Sequence, residues 1–455
     1  MAPSASPRLH SRPHSRPRLL HVDLTAGTWR AVVPEPGLLL GPAAELPGGA
    51  ALACALLLPH AARAWDDPES PLLLLAGPLT GTLAPCSGRA VLAARAPCGG
   101  FRVLDFGGRL PTVLRRAGWD GLVVNGRAAR PTGIEISAAG ARLTDASGLA
   151  GPGCAARTGA VFAALAGFGA AACVGPAAWR GAHGAAVLPG PDQPALGGGL
   201  GLTWAARNLA WVAASGAGHP PVADPAGLRA ARRAILRLLA AGPALLGPLG
   251  LARRGAAALY DLAQARSMLA TDHFRATRFA GAEAVSRAMA GLAASAARGG
   301  CLGCPVRCGR RDADGPLPGF ESLAWLTAQI GNPDAGLAVA AHRRCLALGL
   351  DPTAAGAALA ARRERDGRDW DAAGLMEFLA DLARGGIDLD ADGLPNLRVD
   401  GLDLPPLDPR GAAGLALGYA LAPEGGLWGV GAVGPEVLGK PVAVDRFAWA
   451  GKARL

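Results

Sequence analysis

From residue 19 to about 216, short apolar runs alternate with breaks that carry Gly and Pro, and this spacing predicts strands. Residues 19–24, 72–76 and 121–124 are such runs. The last lies between Asp120-Gly121 and Asn125-Gly126 and reads as turn, strand, turn. Beyond a proline-rich linker at 219–225 the period becomes helical. Apolar residues recur at helical spacing over 226–241, 256–269, 284–298, 336–348 and 372–384, with Arg on the opposite face. The pattern predicts an α+β chain: a β-rich domain over 18–216, a helical domain with a cysteine loop over 217–397, and a short second helical domain over 398–455. Residues 1–17, rich in Ser, Pro, Arg and His with no apolar run behind them, read as a disordered tail rather than a secretory signal. No repeat of solenoid period is evident.

Composition narrows the class. At 455 residues and 51% apolar, the chain can bury a large core and should divide into more than one domain. No apolar run is long enough to span a bilayer; the stretch 48–58 is too short and Pro59 closes it. The net charge of +10 is carried almost wholly by arginine, Lys440 and Lys452 being the only lysines. It would attract acidic partners or phosphate-bearing cofactors. It is spread along the chain without interleaved aromatics, which argues against a nucleic-acid binder. Nine cysteines without a regular framework point to a reducing compartment, the cytoplasm.

Candidate chemistry centres on Cys301, Cys304 and Cys308, a C-x2-C-x3-C run on one short turn. Thiols packed this closely converge on a single centre, as an iron–sulfur cluster requires. Pro305 keeps the loop from continuing as helix. A [4Fe–4S] cluster takes four thiolates, so a fourth ligand must come from elsewhere. Zinc is the rival reading and also needs a fourth ligand, although the short second gap fits a cluster better.

Several segments in collinear order resemble the tungsten- and molybdenum-dependent aldehyde ferredoxin oxidoreductases. They are His21-Val22-Asp23-Leu24-Thr25-Ala26-Gly27; Ala76-Gly77-Pro78-Leu79-Thr80-Gly81-Thr82 with Ser87-Gly88-Arg89; Gly107-Gly108; and Arg116-Ala117-Gly118-Trp119-Asp120-Gly121. Gly198-Gly199-Leu200-Gly201 with Arg207-Asn208-Leu209, the cysteine run, Phe320-Glu321-Ser322, Leu348-Gly349-Leu350-Asp351 and Asp408-Pro409-Arg410-Gly411 continue the series. The resemblance implies a β-sheet base for two pterins that hold tungsten or molybdenum, with helices above and a [4Fe–4S] cluster beside one pterin. It implies pterin contacts from Arg89, Asp105, Gly107, Gly108, Gly198, Gly199, Gly201, Gly349, Leu350 and Asp351, and cluster ligation by Cys301, Cys304 and Cys308. Arg89 would lie between pterin and cluster, and Glu321 would act as general base. The implied reaction takes a small aldehyde to its carboxylic acid and passes electrons to ferredoxin.

The chain also departs from that pattern. Leu346 stands where the family's first pterin aspartate would be, and a leucine accepts no hydrogen bond. Gly425-Gly426-Leu427-Trp428 replaces the segment that carries the family's active-site histidine. Asp105 stands where asparagine is usual, beside a bridging cation of the Mg type. After Pro435-Glu436-Val437-Leu438-Gly439-Lys440-Pro441 the sequence ends at Leu455, before the family's second pterin motif and fourth cluster cysteine. Spacing assigns neither Cys86, Cys98 nor Cys345 to that role, and each reads as a small buried thiol. Three functions remain open at this point: an aldehyde oxidoreductase, alone or completed by a partner subunit or a second copy; an impaired homologue serving binding or assembly; and a cluster-only electron-transfer protein.

Overall fold

The computed structural model describes residues 16–35, 48–97, 99–152, 154, 156–387, 398–399 and 402–403. The expected tail, Cys98, Trp428 and almost all of the expected last domain lie outside these. The first region is built on two sheets. One holds β1 (Leu19–Asp23), β2 (Thr28–Val32), β3 (Leu72–Ala76), β4 (Ala90–Arg95), β5 (Phe101–Phe106) and β6 (Gly121–Asn125), in the order β2-β1-β6-β3-β4-β5. The other holds β7 (Thr132–Ser137), β8 (Gly140–Asp145), β9 (Ala170–Val174), β10 (Val187–Leu188) and β11 (Leu209–Ala214), in the order β10-β9-β11-β7-β8.

The leucine run of β3 is buried along its whole length because both faces of the sheet are covered. Leu73, Leu75, Val91 and Ala93 face the helix Gly49–Leu57, which contributes Leu52, Ala53 and Leu57. Leu72, Leu74, Ala90 and Leu92 face a larger core that runs on through the second sheet into the helices. In the second sheet Trp211 and Gly133 are cross-strand partners, and a Cβ on Gly133 would lie 2.0 Å from the indole nitrogen. Glycine is the residue that leaves room for the ring.

Helical segments follow at Pro225–Ala241, Ala258–Ala265, Ala282–Ser295, Ala335–Leu348 and Ala372–Ala383, close to the positions that periodicity predicts. Two features differ. The β-rich region also carries the helices Gly49–Leu57, Leu110–Arg116, Thr158–Ala164 and Leu200–Ala206. The cysteine loop is the connection of an antiparallel hairpin, joining β12 (Ala297–Gly299) to β13 (Gly309–Asp312), with β14 (Gly315–Pro316) beside it. Among the described residues, no helix is long and apolar enough to cross a membrane.

Arg207 is fully buried at the end of the helix Leu200–Ala206. Its guanidinium donates to the carbonyls of Thr203 (2.9 Å), Ser70 (2.5 Å) and Asp67 (3.3 Å), tying the helix to the segment before β3. Burial pulls its pKa down to about 10, which leaves it charged at neutral pH. Arg207→Met should lower stability by about 3 kcal/mol, because buried carbonyls lose charged donors. Urea denaturation followed by tryptophan fluorescence reads this, and an unmoved midpoint would show that those bonds add nothing.

Candidate functional site

The loop before β4 is held by its own short side chains. Thr80 accepts from the Gly77 amide (3.1 Å) and donates to the Arg89 carbonyl (2.7 Å). The Ser87 hydroxyl has acceptors in the Leu79 (3.0 Å) and Ala84 (2.8 Å) carbonyls. The next loop, after β5, meets the cysteine hairpin directly. The Leu302 amide donates to the Gly108 carbonyl at 2.9 Å. A Cβ on Gly107 would lie 2.2 Å from the Cys301 sulfur and 3.7 Å from Arg89 Nη1. Backbone, thiol and guanidinium therefore meet at one point, and only glycine permits it.

The far side of the hairpin is fixed by Arg310. This buried side chain donates to the carbonyls of Arg307 (2.8 Å), Gly309 (2.6 Å) and Ala252 (2.6 Å). The Ala256 amide donates to the Cys308 carbonyl at 2.9 Å. Within the turn, the Cys304 amide donates to the Cys301 carbonyl at 3.1 Å.

These segments open on a cavity of about 510 Å³. Its wall brings together Arg89, Asp105, Gly107, Gly198, Gly199, Glu321, Asp351 and all three cysteines of the turn. Asp105 and Gly107 stand at the end of β5, the edge strand of the first sheet. Gly199 has φ +82 and starts the helix Leu200–Ala206. Glu321 lies in the first turn of the helix Phe320–Leu326. Asp351 caps the helix Pro352–Asp366 through the Thr353 amide at 2.9 Å.

The remaining residues expected at the site stand behind this wall. Gly108 packs against Gln193, which itself lines the cavity. Gly201 lies against the backbone of Ala185 and Ala186, where a Cβ would come within 2.6 Å. Gly349 ends the helix Ala335–Leu348 against Gly175, and the Leu350 amide closes that helix by donating to the Cys345 carbonyl at 2.9 Å. Leu346 packs with Cys173, Leu188 and Trp211 in a separate apolar cluster. Its replacement of an aspartate therefore falls outside the cavity wall. Cys345 is buried in the main core.

His342 was not singled out by sequence. It lines the cavity from the helix Ala335–Leu348, and its Nδ1 has no hydrogen-bond partner among the described residues. The signal was a single polar residue within the buried stripe of Ala338, Val339, Cys345 and Leu346. Burial, aided by the neighbouring Arg343, pulls its pKa down to about 3.

Two family models match the chain: the aldehyde ferredoxin oxidoreductase N-terminal domain over residues 19–216, and domains 2 and 3 of the same family over 230–369. The tungsten-containing aldehyde ferredoxin oxidoreductase of Pyrococcus furiosus is 29% identical over 439 residues, covering 88% of this chain and 72% of that protein. That of Thermococcus kodakarensis is 29% identical over 467 residues, covering 94% and 76%. The fold is shared with the active-site complex BamBC of benzoyl coenzyme A reductase in complex with 1,5-dienoyl-CoA (TM-score 0.73, 19% identity), covering 90% of this chain and 69% of that one. Both family models are those of an oxidoreductase family. The chain belongs to the aldehyde ferredoxin oxidoreductase family.

The depressed His342 pKa has a consequence for acid stability. Between its ordinary value of 6.5 and about 3, the unfolded chain binds the proton that the folded chain refuses. Stability is therefore lost as pH falls through that window. His342→Leu should lose less melting temperature than the wild type between about pH 7 and about pH 4.5. Parallel thermal melts of the two proteins would refute this by giving equal losses.

Proposed function

We propose that the protein oxidises small aldehydes to carboxylic acids, using a tungsten or molybdenum bis-pterin and a [4Fe–4S] cluster, and passes the electrons to a ferredoxin-type acceptor. The observation that supports this most directly is the meeting of Arg89, Gly107 and Cys301 on the wall that also carries Glu321. The residues present suit such groups. Three thiols on one hairpin are cluster donors, glycine backbone at 107 and 198–199 allows close approach of a large planar ligand, and Arg89 can donate to pterin and cluster sulfur together. A bridging Mg beside Asp105, and a partner subunit or second copy completing the assembly, belong to the same reading, as does a reducing cytoplasmic setting that keeps the thiols available.

When bound, the metal pterin would supply Lewis acidity and accept two electrons. The protein's own part is positional. Aldehyde and water give carboxylic acid, two protons and two electrons, and Glu321 takes up a proton as water adds to the carbonyl carbon. Leu104, Phe106 and Leu317 give the cavity wall an apolar part against which a substrate chain can pack. The cavity must hold cofactor as well as substrate, which favours a small aldehyde.

Protein prepared with tungstate and iron should reduce a viologen dye on addition of aldehyde. Glu321→Gln should lower kcat by about 100-fold or more with unchanged metal content. Wild-type protein that carries both tungsten and iron but reduces no dye with any of several aldehydes would sink the enzymatic reading and favour the assembly-subunit one.

A further inference from the structure

The three thiols of the hairpin leave one corner of a cubane without a cysteine, and a described residue stands beside them to fill it. The Cys86 sulfur lies 3.8 Å from that of Cys304. It arrives from the loop that carries Arg89, far away in sequence. Cys86 is 1% exposed and shares an apolar cluster with Cys304, Val306, Leu239, Leu245 and Leu251, against which Cys301 and Cys308 also pack. Its backbone is held at φ +56, a conformation that L-residues seldom adopt outside sites where something holds them there. The loop has little freedom to retreat: a Cβ on the neighbouring Gly88 would stand 3.1 Å from the Leu302 carbonyl oxygen and 3.5 Å from Cys301 Cβ.

We infer that Cys86 is the fourth thiolate of the iron–sulfur cluster. This rests on the cluster reading above and deepens it. The other described cysteines stand elsewhere. Cys54 is exposed, Cys154 is half-buried beside the Gly148 carbonyl, Cys173 lies in the cluster around Trp211, and Cys345 lies in the main core. Corner thiolates of a cubane stand farther apart than 3.8 Å, so ligation turns the Cys86 side chain to another staggered rotamer about Cα–Cβ. Binding forms one Fe–S bond and releases the Cys86 thiol proton, and it consumes no oxidant or reductant. The apolar residues packed around Cys86 and Cys304 then form a dry wall of the cluster.

The test uses the full chain reconstituted anaerobically with ferrous iron and sulfide, as wild type, Cys86→Ala, Cys86→Ser and Cys345→Ala. Wild type and Cys345→Ala should both show a reduced [4Fe–4S] EPR signal and withstand ferricyanide. Cys86→Ala should lose about a quarter of its iron and display an oxidised [3Fe–4S] signal. Should the alanine variant fail to fold by circular dichroism, Cys86→Ser decides. It fills the same space with a weaker ligand and should give shifted g-values and ferricyanide sensitivity. Iron content, g-values and oxidant resistance equal to wild type in the folded Cys86 variant overturn the assignment and leave the cluster reading standing. A wild-type chain that takes up no cluster overturns both.

Discussion

At Gly107 the chain runs so close to the Cys301 sulfur that not even a methyl group fits between them, and the Arg89 guanidinium borders the same point. Two loops of the first sheet are thereby pressed against a hairpin that belongs to the later, helical part of the chain. An added methylene in such a seam costs about 1–3 kcal/mol when the neighbours are fixed. Here both are fixed. The Gly108 carbonyl accepts from Leu302 on one side, and Arg310 clamps the hairpin by four backbone carbonyls, those of Leu251, Ala252, Arg307 and Gly309, on the other. That seam places Cys301, and the Ala256–Cys308 bond on the far side places Cys308.

The seam also explains why the cavity is assembled from so many separate segments. The end of edge strand β5 contributes Asp105 and Gly107, the glycine loop before Leu200–Ala206 contributes Gly198 and Gly199, and three different helices contribute Glu321, His342 and the capping Asp351. None of these elements alone forms a pocket. They converge because one continuous apolar core runs from Leu20 and Leu72 in the sheets to Phe320 and Leu375 in the helices. Burial of that core is non-directional. The polar ties of Arg207, Arg310 and Thr80 add what it lacks, which is register.

How far the sequence shows this depends on the kind of signal. The run 72–76 was legible as a strand because its leucines are bounded by Pro71 and Gly77, and it forms β3. The helix Pro352–Asp366 is not legible from periodicity, although Asp351-Pro352 is a start signal, because its alanines are buried almost all round and show no amphipathic period. Gly107 and Gly201 look alike in sequence, yet one faces the cavity and the other packs on Ala185. A glycine admits a ligand and a neighbouring backbone for the same steric reason. Through-space neighbours are the least legible. Nothing in the spacing of Cys86 shows that it meets Cys304, and His342 gives only a polar break in an apolar stripe.

The cavity wall carries charge of both signs, its carboxylates being those of Asp105, Asp192, Glu321 and Asp351. Arg89, Arg254 and Arg310 stand on the wall with the three cysteines. Burial works against the Arg310 charge, and the facing Cys308 works in its favour. A guanidinium keeps its proton across the whole working range, so these three positive charges persist whether or not the thiols are ionised. Cations beside a thiol stabilise the thiolate, the form that binds metal. Arg254 and Asp192 are balanced in turn by Asp261 and Arg311. The apolar cluster of Leu239, Leu245, Leu251 and Val306 behind the sulfurs then has a distinct effect. With water excluded on that side, the attraction between thiolate and arginine acts at a lower dielectric than it would on an open surface. The hairpin sulfurs thus meet both charged and apolar neighbours: the arginines favour thiolates, while apolar burial and mutual repulsion oppose them until a bound metal takes up the charge.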